Sequence, residues 1–236
     1  MGEMKINGIP VTVDRRNIKS LNLYVKPPDG KVRVSAPMRT GDRTIRAFVQ
    51  SHVDWIQKQQ ENMRASFPQH KYVTGETVLV FGEQVPLFVI DATSKRTCGA
   101  RLEERRLVLT VPAESTVEQR EKLLRSWQRE QLKEIADGML QRWAKLMYVQ
   151  VNEWHIKRMK TKWGSCNFHA HRIWLNLALA EQPVECVEYV VVHELCHLLE
   201  PSHSTRFWNL MTQYLPDWKE RRTRLNTRPG KTKAEP

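Results

Sequence analysis

Val190-Val191-Val192-His193-Glu194-Leu195-Cys196-His197-Leu198-Leu199-Glu200-Pro201-Ser202-His203 is the stretch that decides the reading of this chain. Two histidines four residues apart return to nearly the same helix face, so His193 and His197 can reach one cation. Glu194 is offset around the axis, which leaves its carboxylate free to act on water at that cation. The residue before a proline is pushed out of the helical region, so Pro201 ends the helix near Leu199 or Glu200 and turns the chain. His203 then folds back towards the pair. Three imidazoles with a fourth position open describe a catalytic rather than a structural zinc site, because structural sites are closed by four protein ligands. Glu200, Asp217 and Glu220 remain alternatives to His203 as third ligand.

Working outward, Pro183 suits a helix start, and Val184, Val187, Val190, Val191, Leu195 and Leu198 give the metal helix an apolar surface. Its expected partner is a long helix opened by the capping box Ser115-Thr116-Val117-Glu118, with Leu132, Ile135, Ala136, Met139, Leu140, Trp143, Leu146 and Met147 as an apolar stripe. Between them, Val151 to Met159 and Arg172 to Leu177 read as strands joined through Trp163-Gly164-Ser165-Cys166-Asn167. Beyond Pro201, Ser202 or Ser204 caps a last helix carrying Phe207, Trp208, Leu210, Met211 and Leu215.

The first half reads mainly as strands. Leu21, Leu23 and Val25 alternate, Pro27-Pro28-Asp29-Gly30 supplies a turn, and Val32 and Val34 resume, which describes a hairpin. One helix is expected from a cap at Asp42 to about Gln60, and strands at Thr77 to Phe81, Val85 to Ile90 and Leu107 to Val111. Pro10-Val11-Thr12-Val13 resembles Pro86-Leu87-Phe88-Val89, and Val34-Ser35-Ala36-Pro37 resembles Leu109-Thr110-Val111-Pro112, at spacings of about 75 residues, as a repeat would.

The composition bounds the partners. An excess of 38 Lys+Arg over 26 Asp+Glu, net +12, favours nucleic acid, anionic surfaces or phosphorylated small molecules, yet no RRM, KH, zinc-finger or P-loop pattern accompanies it. No apolar run is long enough for a membrane span and the start has no apolar signal core, so a cytoplasmic protein is expected. Cys98, Cys166, Cys186 and Cys196 form no CxxC pair and read as reduced thiols, Cys166 and Cys196 as packing residues. His169 and His171 suit a polar hairpin tip, and His52, His70 and His155 have no partner spacing.

Lys160-Thr161-Lys162-Trp163-Gly164-Ser165-Cys166-Asn167, Leu175-Asn176-Leu177, the HExxH helix and His203-Ser204 with Phe207-Trp208 together resemble the YgjP-like zinc metallopeptidase family, related to SprT-like zincins. The resemblance implies a minimal zincin domain with zinc on His193, His197 and His203, or another divalent transition metal there, and Glu194 as general acid/base acting on metal-activated water. It also implies that the strand beside the active-site helix holds an extended peptide, so Lys162, Trp163 and Ser165 are the candidate substrate-binding residues, and Lys160 and Lys162 would also suit an anionic substrate. A metzincin is not implied: the glycine that permits that family's turn is here Glu200, and Met211 falls on an apolar helix face.

The expected architecture is α+β: a strand-rich N-terminal region over 1–114, a zincin-like core over 115–228 and a polar, disordered tail over 229–236. The expected function is a metal-dependent hydrolase, foremost a metallopeptidase. Two alternatives stand beside it: a phosphohydrolase of a nucleotide such as a nucleoside triphosphate, and a nucleic-acid-associated module with a structural metal.

Overall fold

A computed structural model describes residues 2–26, 30–66 and 70–227, and it divides into two compact units, Met1–Gln69 and His70–Pro236. The fold is mixed α+β, with strands gathered in the N-terminal part as expected. The proline-rich turn at 27–29 and the tail from 229 lie outside the described residues.

In the first unit, β1 (Gly2–Ile6), β2 (Ile9–Arg16), β3 (Asn22–Lys26) and β4 (Lys31–Pro37) form one sheet in the order β1-β2-β4-β3. The expected hairpin is β3 against β4, antiparallel, with Leu23 opposite Val34 and Val25 opposite Val32. The β1–β2 hairpin escaped the sequence reading although Asn7-Gly8 marks it: both residues have positive φ, 46° and 81°, the conformation a tight two-residue hairpin turn demands. Ile6, Val11, Val13, Val32 and Val34 alternate onto one face and are buried with Ile45, Val49 and Ile56 of the helices that follow.

Those helices are two, α1 (Asp42–Gln50) and α2 (Val53–Ser66), where one was expected. The Ser51 hydroxyl donates to the Phe48 carbonyl at 2.9 Å and His52 Nδ1 reaches the same oxygen at 2.8 Å. Side chains thus take up a carbonyl the helix ladder would use, and the chain turns before resuming. The cap is Gly41, with Asp42 in the first turn.

The second unit repeats the strand plan. β5 (Thr77–Val80), β6 (Glu83–Asp91), β7 (Gly99–Glu103) and β8 (Arg106–Val111) have the order β5-β6-β8-β7, matching the first sheet strand for strand. In both, the second strand runs parallel to the fourth, Val11 beside Val32 and Leu87 beside Leu107. The sequence repeat is therefore a repeated four-strand unit.

α3 (Val117–Leu146) lies within the second compact unit and packs on two of its cores. Its first half buries Leu124 and Trp127 against the β5–β8 sheet, and its second half buries Leu132, Ala136 and Leu140 in the core around the metal helix. One helix thus contributes to both clusters. Its capping box is Thr116 with Gln119, one residue later than expected, because the Ser115 hydroxyl accepts from Arg120 Nε instead.

Beyond α3, β9 (Glu153–Lys157), β10 (Gly164–Asn167) and β11 (Arg172–Asn176) form a sheet in the order β10-β11-β9. Trp163-Gly164-Ser165-Cys166-Asn167, expected as a connection, thus contains an edge strand antiparallel to β11, while β9 lies parallel to β11. A 3-10 turn (Leu177–Glu181) leads into α4 (Val184–Leu199), followed by α5 (Thr205–Tyr214) and α6 (Trp218–Asn226) where a single last helix was expected. Among the described residues no helix is long and apolar enough to cross a membrane.

Candidate active site

α4 is positioned by burial. Cys186, Val187, Val190, Val191, Val192, Leu195 and Cys196 are each at most 3% exposed, packed against α3, β11 and α5. Glu200, the residue before Pro201, is extended (φ −147°, ψ 103°), which stops the helix where the proline predicts. Ser204 then caps α5, its hydroxyl accepting from Phe207 N at 3.3 Å, while Ser202 bonds the Glu200 carboxylate.

This turn brings His203 to the helix. His203 Nε2 lies 3.1 Å from His193 Nε2, and one nitrogen from each of His193, His197 and His203 falls within 4.8 Å of the others. Tetrahedral zinc with bonds of about 2.0–2.1 Å needs nitrogens about 3.3 Å apart, so the closest pair already has nearly that spacing. Burial, then the neighbouring histidines and Arg222, lowers His193 to about 3. His197 and His203 are also lowered, chiefly by burial, so all three favour the neutral form a metal requires. His197 Nδ1 faces the Glu200 carbonyl at 3.3 Å, so that N–H donates there and leaves Nε2 with its lone pair for the cluster. The donor set and spacing fit a divalent cation. Glu200 turns to Ser202, Asp217 pairs with Arg221, and neither they nor Glu220 join the cluster.

Glu194 is 5% exposed, and burial raises its carboxyl to about 8, with Lys162 drawing it down. Its room comes from Gly164. A Cβ there would lie 2.8 Å from Glu194 Cγ and Cδ and closer still to Oε1. Strand β10 thus meets the Glu194 carboxyl through the one residue type that leaves space for it.

The substrate-binding candidates divide. Lys162 is exposed beside Glu194 and His197, which both feel its charge. Trp163 packs on the core. Ser165 pairs with Trp174 and, since strand residues alternate, its side chain lies on the face opposite Gly164. Cys166 and Cys196 are raised to about 12, mainly by burial, and remain thiols. The other histidines are engaged elsewhere: His171 at the Gln150 carbonyl, His155 at Glu153, His70 at Glu76, His169 against Phe168 and His52 at Phe48.

Asn176, to which no sequence motif assigns a role, holds the approach to the site. Fully buried at the end of β11, its amide donates to the Met159 and Lys162 carbonyls at 2.9 and 2.7 Å and accepts from Met159 N and Ala178 N at 3.2 and 3.1 Å. The loop carrying Lys162 into β10 is thereby fixed to the strand behind it. Asn176→Ala strands these backbone groups and should lower unfolding free energy by roughly 2–4 kcal/mol in denaturant titrations.

These elements are those of a metal-dependent hydrolase. The family model described as YgjP-like, metallopeptidase domain, matches residues 19–228, and the chain belongs to that family. Among solved structures it is similar to the metallopeptidase zymogen abylysin of Pyrococcus abyssi, at 25% identity over 39% of this chain and 92% of that one, with TM-score 0.37. It is also similar to the metallopeptidase zymogen jannalysin of Methanocaldococcus jannaschii, at 22% identity over 40% and 92%, with TM-score 0.33. No curated protein matches.

Proposed function

We propose that this chain is a zinc-dependent peptidase that cuts extended polypeptide, with His193, His197 and His203 as metal ligands and Glu194 as general acid/base. The observation that carries the reading is a buried carboxyl on the same helix as two of three convergent, neutral imidazoles, at the edge of an open strand. When bound, the cation supplies Lewis-acid polarisation of the scissile carbonyl and lowers the pKa of water. Glu194 takes the proton of the attacking water and passes it to the departing amine. Burial holds its proton affinity high enough to carry that proton, and Lys162 and added positive charge at the triad bring it down towards neutral pH. Substrate backbone adds to the edge of β10, which among the described residues pairs only with β11. Lys162, beside Glu194, meets the substrate, while Trp163 and Ser165 support the strand from behind.

The test is hydrolysis of an unfolded protein and of a nucleoside triphosphate panel by zinc-loaded and chelator-treated protein. The reading expects polypeptide cleavage that disappears on metal removal and returns with one equivalent of zinc. Metal-dependent release of phosphate with intact polypeptide would reject it.

A further inference from the structure

Arg222, whose charge reaches His193 and His203, has no role in the scheme above. α6 packs along α4 through Arg221, whose guanidinium donates to Glu188 Oε2 at 2.6 Å and to the Glu185 carbonyl at 3.3 Å. The next residue sets its guanidinium carbon 5.3 Å from the ring centre of Trp208. Trp208 stacks with His203, at 5.4 Å and 18°, and with Trp218, at 4.6 Å and 18°. Arg222 is therefore held over a ring that itself stacks with a candidate metal ligand. Its charge is felt at both His193 and His203, whereas that of Lys162 is felt at Glu194 and His197.

Among the described residues Arg222 makes no ion pair, in contrast to Arg221 with Glu188 and Asp217 and to Arg224 with Glu185. A half-buried guanidinium next to a cation-binding cluster is repelled when that cluster is charged, and among the described residues no carboxylate pairs with Arg222 to offset the repulsion. A ligand that brings a negative group would offset that repulsion. The ring beneath Arg222 orients its planar fork, which matches a carboxylate's two oxygens.

We propose that Arg222 anchors a substrate carboxylate beside His203, making this a peptidase for polypeptides that carry an acidic side chain or a chain terminus next to the bond cut. The proposal rests on the peptidase reading and narrows its substrate class. The test is fluorescence anisotropy of labelled peptides on zinc-loaded Glu194→Gln protein, comparing Glu with Gln at each position and free with amidated C-termini, then repeating with Arg222→Met and Arg222→Lys added. The acidic peptide should bind about 10-fold or more tightly than its Gln analogue. Arg222→Met should remove that preference without weakening the Gln peptide, and Arg222→Lys, which keeps the charge and the stem on Trp208, should retain part of it. The amidated series tells a terminal carboxylate from a side-chain one. Zinc stoichiometry and circular dichroism confirm that each variant is folded.

No preference in the parent, or a preference unchanged in Arg222→Met, overturns the proposal. So does an equal fall in kcat on acidic and neutral peptides when Arg222→Met is made in the active enzyme, since that places Arg222 on the scissile oxygen. Binding preference without hydrolysis would sink the peptidase reading and leave the subsite standing; hydrolysis without preference would do the reverse.

Discussion

Glu194→Gln lowers peptide hydrolysis by roughly 10²–10⁴-fold, the range a positioned general acid/base contributes, while zinc stoichiometry and fold are kept. The amide has the carboxyl's shape and fills the same buried site, so α4 and its histidines have no reason to move. A second readout separates loss of chemistry from loss of structure. Burial raises the carboxyl of the metal-free protein from 4.5 to about 8, so the fold holds a proton that the unfolded chain has released. Its contribution to stability is complete below about pH 4.5 and is lost as pH rises through about 8. Metal-free Glu194→Gln should therefore resist denaturant better than metal-free parent above pH 8, while being inactive when zinc is restored. Unimpaired turnover would remove Glu194 from the mechanism.

Gly164→Ala is the second large effect, and it arises from one methyl group. The added Cβ would sit within 2.8 Å of Glu194 Cγ and Cδ, so either β10 retreats from α4 or the carboxyl swings away from the triad. Displacement of a catalytic group by about 1 Å can lower the rate on the order of 10²-fold, and overpacking destabilises by about 1–3 kcal/mol. Zinc binding should persist, because the three histidines lie on α4 and in the turn before α5 and none is on β10. Parallel measurement of kcat/KM and zinc stoichiometry checks this. Full activity would mean that β10 does not set the position of Glu194.

The two predictions mark where sequence reading ends. α4 was legible because its apolar spacing, the paired histidines and Pro201 all act locally, and Glu200 adopts the extended backbone that proline imposes. The repeat was legible because period-two alternation survives in both sheets. β10 was not, since Trp-Gly-Ser-Cys-Asn has the composition of a turn, and its glycine serves close approach to a side chain thirty residues on in the chain. The work of Asn176 consists of hydrogen bonds to backbone 14 and 17 residues away, which leave no periodic trace. Arg222 reads as one more residue in a basic run until α6 is laid along α4. The split after α1 depends on whether Ser51 and His52 turn inward to a carbonyl, a choice that helical periodicity does not register.

X-ray absorption at the zinc edge, on protein carrying one equivalent of zinc, tests the three-histidine site most directly. The account predicts three imidazole ligands at about 2.0 Å, falling to two in His203→Ala, with no sulfur at about 2.3 Å. A first shell unchanged by His203→Ala, or one containing sulfur from Cys166 or Cys196, would contradict it.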